Sequence, residues 1–297
     1  MNSDFETIVP GKWILAGEHA VLRGCEALVF PLHSKYLKLT YKTTQDELEL
    51  KIEGHNKSDL ELIIWSVIER ALKLLNLKRS QLKGELAMQS QIALGGGMGA
   101  SATLCVALTE WLNHLGYVSE QNKFIFARDL ENLFHGESSG VDVAVTLKKQ
   151  PLVFTRHNGF EEFKVQSEVK LYLSYSGQRG VTRDCVEKVK ELFITNETLA
   201  LKIDEQMQES VQQLKSLLMS SNSSLLDWIK AIKKSNHCFE QWGLVTDSVK
   251  KHQDMLIENG ALAVKLTGSG GGGYVLSLWE TLPPQNLPFE MIACFEQ

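Results

Sequence analysis

The sequence has little that would tie it to nucleic acid, membranes, metal clusters or an oxidising compartment. Its 297 residues carry 31 Lys and Arg against 36 Asp and Glu, a formal net charge of −5. A nucleic-acid binder needs a basic excess, because phosphate contacts dominate its affinity. Short basic pairs such as Lys148-Lys149 and Lys233-Lys234 read as solvated surface. No nucleic-acid partner is expected.

Long apolar runs are also missing: none approaches the ~20 residues that span a bilayer. The opening segment MNSDFETIVPGK is polar and acidic, without the charged-then-apolar pattern of a secretion signal. The expectation is no membrane partner and a cytoplasmic location. The five cysteines are odd in number and far apart, with no CxxC pair, and the eight histidines form no HExxH. That argues against a zinc ribbon or a dithiol redox centre and fits a reducing compartment.

What is present is an ordinary globular mixture, 43% hydrophobic and 23% charged, in a chain long enough for two packed domains. Residues 7–9 and 13–15 read as two short strands joined by a Pro10-Gly11 turn. Period-two alternation follows over 36–42 and 47–53. Ser58 and Glu61 have capping-box spacing ahead of a helical run to Leu75. Residues 84–90 read as a strand, 100–115 as a helix stopped by Gly116, and 119–133 as another helix. Strands are expected at 151–155, 170–175, 263–266 and 274–278. Helices are expected from a Thr182 cap to about Phe193, and over 201–219 and 224–240. Strands and helices in runs argue α+β rather than regular βαβ winding. A division near residue 167 gives domains 1–167 and 168–297.

Four segments carry chemical meaning. The first runs from Leu94 through Gly95, Gly96, Gly97, Met98, Gly99, Ala100 and Ser101 to Ala102, between a strand and a helix. Glycines let the backbone approach a ligand, and the helix turns its positive N-terminal end toward the same place. That combination binds phosphate. The plain alternative is a tight turn that happens to be glycine-rich. No Gly-Lys-Ser/Thr follows, and the chain before it is not βαβ, so neither a P-loop nor a dinucleotide fingerprint applies.

The second segment is Lys265 to Tyr274, where five of the six residues Gly268–Gly273 are glycine. A flexible linker is one reading. Strand-like flanks favour an ordered loop near a phosphate or another backbone. The third comprises Pro10-Gly11-Lys12 and Gly17-Glu18-His19-Ala20. Taken alone, its Lys or His would be surface. In the fourth, Glu131 lies late in a helix, and Asp142 interrupts the apolar stretch Val141–Val145. A carboxylate there suits phosphoryl transfer, which needs hard oxygens for magnesium and a carboxylate near the nucleophile. Equally, Asp142 caps a helix or turn.

Together these segments resemble the three motifs of the GHMP kinases, in that family's order: residues 10–24, 93–102 and 265–273. Ala93, Met98 and Ala100 depart from the usual second motif. Gly17–Gly24 and the pattern His135-Gly136-x-x-Ser139-Gly140-Val141-Asp142 are most similar to the mevalonate kinase branch, and Ser176–Arg183 is similar to a substrate-side motif. The resemblance implies a ribosomal protein S5 domain 2-like N-terminal domain and a ferredoxin-like C-terminal domain. It further implies a kinase using ATP and Mg2+ on a small-molecule substrate, mevalonate; a sugar or phosphomevalonate kinase and a non-catalytic relative are the alternatives.

By position, Gly95, Gly97, Met98, Gly99, Ala100, Ser101, Ala102, Gly270 and Gly271 would contact the nucleotide. Ser101 and Glu131 would hold the metal, and Asp142 and Lys12 would be catalytic. Glu18, His19 and Thr182 would face the substrate. For the substrate carboxylate, Arg128, Arg179 and Arg183 stay open. A homodimer is the one assembly the reading allows for.

Overall fold

The computed structural model describes residues 3–52, 57–92, 96–135 and 138–295, without the side chains of 57–59 and 135. Gly95 and Gly136 of the expected motifs therefore lie outside the described residues, as does the side chain of His135. The chain forms two compact units that are not consecutive halves. One takes residues 1–11, 33–93 and 99–149; the other takes 12–32, 94–98 and 150–297.

Two long strands explain the interleaving. β1 (Phe5–Ala16) and β2 (Ala27–Glu47) each begin in one unit and end in the other. The expected Pro10-Gly11 turn is absent: both residues continue β1 as extended chain. Among the described residues β1 pairs with β2 alone, and a strand with one unpaired side tolerates a proline that has no N–H to give.

In the first unit, β4 (Lys83–Ser90) runs antiparallel to β2 with Leu39 opposite Met88, and β3 (Glu49–Ile52) runs parallel to β4. The helices are α1 (Lys57–Leu75), α2 (Ala100–His114), α3 (Lys123–His135) and α4 (Val141–Lys148). Alternate strand residues Leu37, Leu39, Tyr41, Leu86 and Met88 bury one sheet face against Ile64, Ile68, Leu104, Leu108 and Trp111. α4 occupies the apolar run around Asp142, so Asp142 sits in a helix's first turn.

In the second unit, Ala27–Val29 of β2 pairs with β5 (Leu152–Thr155), which pairs with β6 (Gly159–Glu162). A separate antiparallel sheet has the order β10 (Ile292–Ala293), β7 (Lys170–Tyr175), β9 (Tyr274–Trp279), β8 (Ala263–Leu266). Four helices lie between β7 and β8 in sequence: α5 (Thr182–Thr195), α6 (Glu197–Leu218), α7 (Leu225–Gln241) and α8 (Asp247–Glu258). Thr182 is the first helical residue of α5 rather than its cap, which is Val181. The mixture of helices and two sheets is α+β, as expected.

Candidate active site

In the second unit, the turn after β1 carries Glu18 and His19, both buried. Glu18 Oε1 accepts a hydrogen bond from Lys265 Nζ at 2.7 Å, and Lys265 has no solvent exposure. Lys265 also donates to the Leu266 carbonyl, and its Nζ lies 5.3 Å from the Phe239 ring centre. Glu18 Oε2 has no hydrogen-bond partner among the described residues. Burial raises the Glu18 carboxyl pKa, opposed by the Lys265 charge, and lowers that of Lys265, opposed by Glu18. The result is a desolvated ion pair with one carboxylate oxygen still to satisfy.

His19 holds φ 59°, a strained conformation for a residue with a side chain. Its Nε2 lies 2.8 Å from the Ser269 carbonyl oxygen. A carbonyl only accepts, so Nε2 carries the proton and Nδ1 is left as an acceptor. Burial pushes the imidazole pKa down to about 4, so His19 is neutral at pH 7. Trp242 and Phe239 stand beside the ring, with centroids 5.2 and 6.1 Å away. Ser269 Oγ in turn lies 3.2 Å from Thr182 Oγ1. Ser269 is thus a hub between two expected substrate residues. Its only sequence signal is that it interrupts the glycine run.

The two glycine segments meet backbone to backbone. A Cβ on Gly273 would lie 3.1 Å from the Gly96 carbonyl oxygen, and one on Gly268 would lie 3.5 Å from that of Gly97 and 4.0 Å from Lys12 Nζ. Lys12 is buried, and its backbone N–H donates to the Met98 carbonyl at 3.0 Å. Close approach also explains Gly272, where a Cβ would fall 2.7 Å from the Gln178 carbonyl oxygen. The amide of Gly271 donates to Leu244 O at 2.8 Å and that of Gly273 to Gln178 O at 2.7 Å. Those two amides are engaged within the fold, so the second loop braces the first.

The first unit holds the expected carboxylates. Ser101 is the second residue of α2, whose N-terminus opens from Gly99. Glu131 on α3 is 2% exposed and accepts a hydrogen bond from Ser138 Oγ. Burial raises the Cys105 thiol pKa, and the nearby Glu131 charge raises it further. Ser101 lies one helical turn before Cys105, on the same face of α2. Asp142 is half-buried in the first turn of α4, where the helix dipole favours negative charge. Of the three arginines, Arg183 is 82% exposed and paired with Glu187, and Arg179 is exposed. Arg128 packs under Gly140, with its Cδ 3.3 Å from that glycine's Cβ position.

Lys12, Glu18, His19, Met98, Thr182, Gly270 and Gly271 therefore belong to one unit. Ser101, Glu131 and Asp142 belong to the other.

Family profiles match both parts of the chain: "GHMP kinases N terminal domain" over residues 63–150 and "GHMP kinases C terminal" over residues 206–286, together more than half of it. The chain is a GHMP kinase. Membership makes it an ATP-dependent small-molecule kinase.

Among curated relatives, this GHMP kinase is similar to the mevalonate kinase of Archaeoglobus fulgidus, at 27% identity over 93% of each chain. It is likewise similar to that of Pyrococcus horikoshii, at 26% identity over 91% of this chain and 87% of the relative. Its fold matches the Methanococcus jannaschii mevalonate kinase, with a TM-score of 0.76 and 20% identity over 94% and 92% of the two chains. It also matches L. major mevalonate kinase in complex with R-mevalonate, with a TM-score of 0.74 and 21% identity over 94% and 88%. These likenesses bear out the two-domain GHMP fold expected from the motifs.

Proposed function

We propose that this GHMP kinase transfers the γ-phosphoryl group of ATP to the 5-hydroxyl of mevalonate, giving 5-phosphomevalonate and ADP. The observation that carries the proposal is the buried constellation of Glu18, Lys265 and neutral His19, walled by Phe239 and Trp242. Aromatic neighbours and few polar groups suit a small branched hydroxy acid better than a sugar, whose ring hydroxyls each need a partner. Relatives named mevalonate kinase along nearly the whole chain support the same substrate.

In this reading Asp142 orients the substrate hydroxyl and accepts its proton as the oxygen bonds to phosphorus and ADP departs. Lys12 stabilises negative charge on the transferred group and the attacking oxygen. Glu18, His19 and Thr182 position mevalonate. The Gly96–Ala102 segment cradles the phosphates, with Gly96 and Gly97 braced by Gly268 and Gly273 and the positive end of α2 adding its field.

Magnesium, with Ser101 and Glu131 as its protein ligands, would neutralise charge on the β- and γ-phosphates. The donor set fits. Magnesium takes one or two carboxylates and leaves its other positions to phosphates and water. Glu131 is a buried hard-oxygen donor, and the described residues contain no cluster of three or more His, Cys, Asp or Glu that would form an all-protein cage. Five free cysteines support a cytoplasmic setting, and no described helix is long and apolar enough to cross a membrane.

Mass spectrometry after incubation with ATP, Mg2+ and mevalonate tests the reaction. One 5-phosphomevalonate per ADP is expected. ADP release with no phosphorylated mevalonate would overturn the proposal.

A further inference from the structure

Ser138 fills an unassigned position of the His135–Asp142 pattern, yet its hydrogen bonds join Glu131 to the segment leading to Asp142. Its hydroxyl donates to Glu131 Oε2 and accepts from the Gly140 backbone N–H at 3.0 Å. Its own backbone N–H donates to Asn132 Oδ1 at 2.7 Å. A serine hydroxyl has one proton to give. Here that proton is committed to the buried carboxylate, and a lone pair is committed to the segment that enters α4. Asp142 follows two residues later.

We infer that Ser138 is a positioning residue that orients the Glu131 carboxylate toward a divalent cation and ties it to the segment carrying Asp142. This rests on the reading of Glu131 as a metal ligand. A carboxylate on a helix rotates about its terminal bond. A hydroxyl fixed on one oxygen presents the other in a single direction, and such outer hydrogen bonds set a ligand's affinity for its metal. The same hydroxyl fixes the spacing between a carboxylate that holds the cation and one that handles the proton.

The test is binding of Mn2+ in the presence of saturating ADP, followed by electron paramagnetic resonance, with no turnover involved. Ser138→Ala keeps the volume and removes the hydroxyl. It is expected to weaken Mn2+ binding roughly tenfold and to raise KM for the metal–nucleotide more than KM for mevalonate. Ser138→Thr, which keeps the hydroxyl, is expected to restore Mn2+ affinity. Asn132→Ala removes the loop's other anchor and serves as the structural control: a lower melting temperature with Mn2+ affinity unchanged.

Wild-type affinity in Ser138→Ala would overturn the inference, as would an equal loss of affinity in Asn132→Ala. If Glu131→Gln loses affinity while Ser138→Ala does not, the inference falls and the ligand assignment stands. If Glu131→Gln binds Mn2+ normally, both fall.

Discussion

Lys265 Nζ sits 2.7 Å from Glu18 Oε1, with side-chain exposures of 0% and 2%, across 247 residues of sequence. Two charges taken from water lose hydration that their mutual attraction chiefly offsets, so removing one partner strands the second. Lys265→Met is expected to destabilise the protein by about 3–5 kcal/mol. Glu18→Gln combined with Lys265→Met is expected to recover much of that loss. Urea unfolding of the four proteins in a double-mutant cycle measures it, and strictly additive losses would contradict the pairing.

His19 ties stability to pH. Its pKa falls from the ordinary 6.5 to about 4 in the fold because burial disfavours the imidazolium. Between those values the unfolded chain binds a proton and the folded chain does not. The His19 contribution is therefore complete above pH 6.5 and is lost as pH falls toward 4, a range worth roughly 3 kcal/mol. His19→Asn, which tolerates positive φ, is expected to flatten the fall in urea midpoint over that window. A slope unchanged from the parent would show that His19 is not the group responsible.

Asp142 lies in the first turn of α4. Asp142→Asn keeps the shape and the hydrogen bonding of the turn but cannot accept the substrate proton. Turnover is expected to fall by about 10²- to 10⁴-fold, with KM for ATP changed only modestly. Steady-state kinetics with both substrates decides, and full turnover would remove Asp142 from the chemistry.

The bracing of one glycine loop by its neighbours has a single-atom test at Gly180. A Cβ there would meet the Gly270 carbonyl oxygen at 2.3 Å, so the loop must shift to admit it. Gly180→Ala is expected to weaken ADP binding severalfold and lower the melting temperature. Calorimetry that finds parental ADP affinity would place the loop's packing outside nucleotide binding.

Much of this was legible in the sequence where local physics dominates. α2 opens from a glycine turn at Ala100, and β7, β8 and β9 fall where apolar runs predicted them. α8 carries a weak sequence signal because its surface is mostly charged and only Val249, His252, Gln253 and Leu256 are buried. α4 lacks one because Val141–Val145 is apolar at every position but Asp142 and has no helical stripe. The interleaved units lack one because β1 and β2 run unbroken through Pro10 and Pro31. In the site, the glycine loops announced themselves by composition. The Glu18–Lys265 pair and the Ser269 hub did not, since no local pattern links residues joined only by tertiary folding.

In the proposed function, Glu18, His19 and Lys265 select mevalonate as phosphoryl acceptor. The most direct test is kcat/KM for ADP release with mevalonate, phosphomevalonate, homoserine and galactose under identical ATP and Mg2+. Mevalonate is expected to exceed each of the others by at least about 100-fold, the order of discrimination that a mostly apolar site provides. Equal or greater efficiency with any of the other three would contradict it.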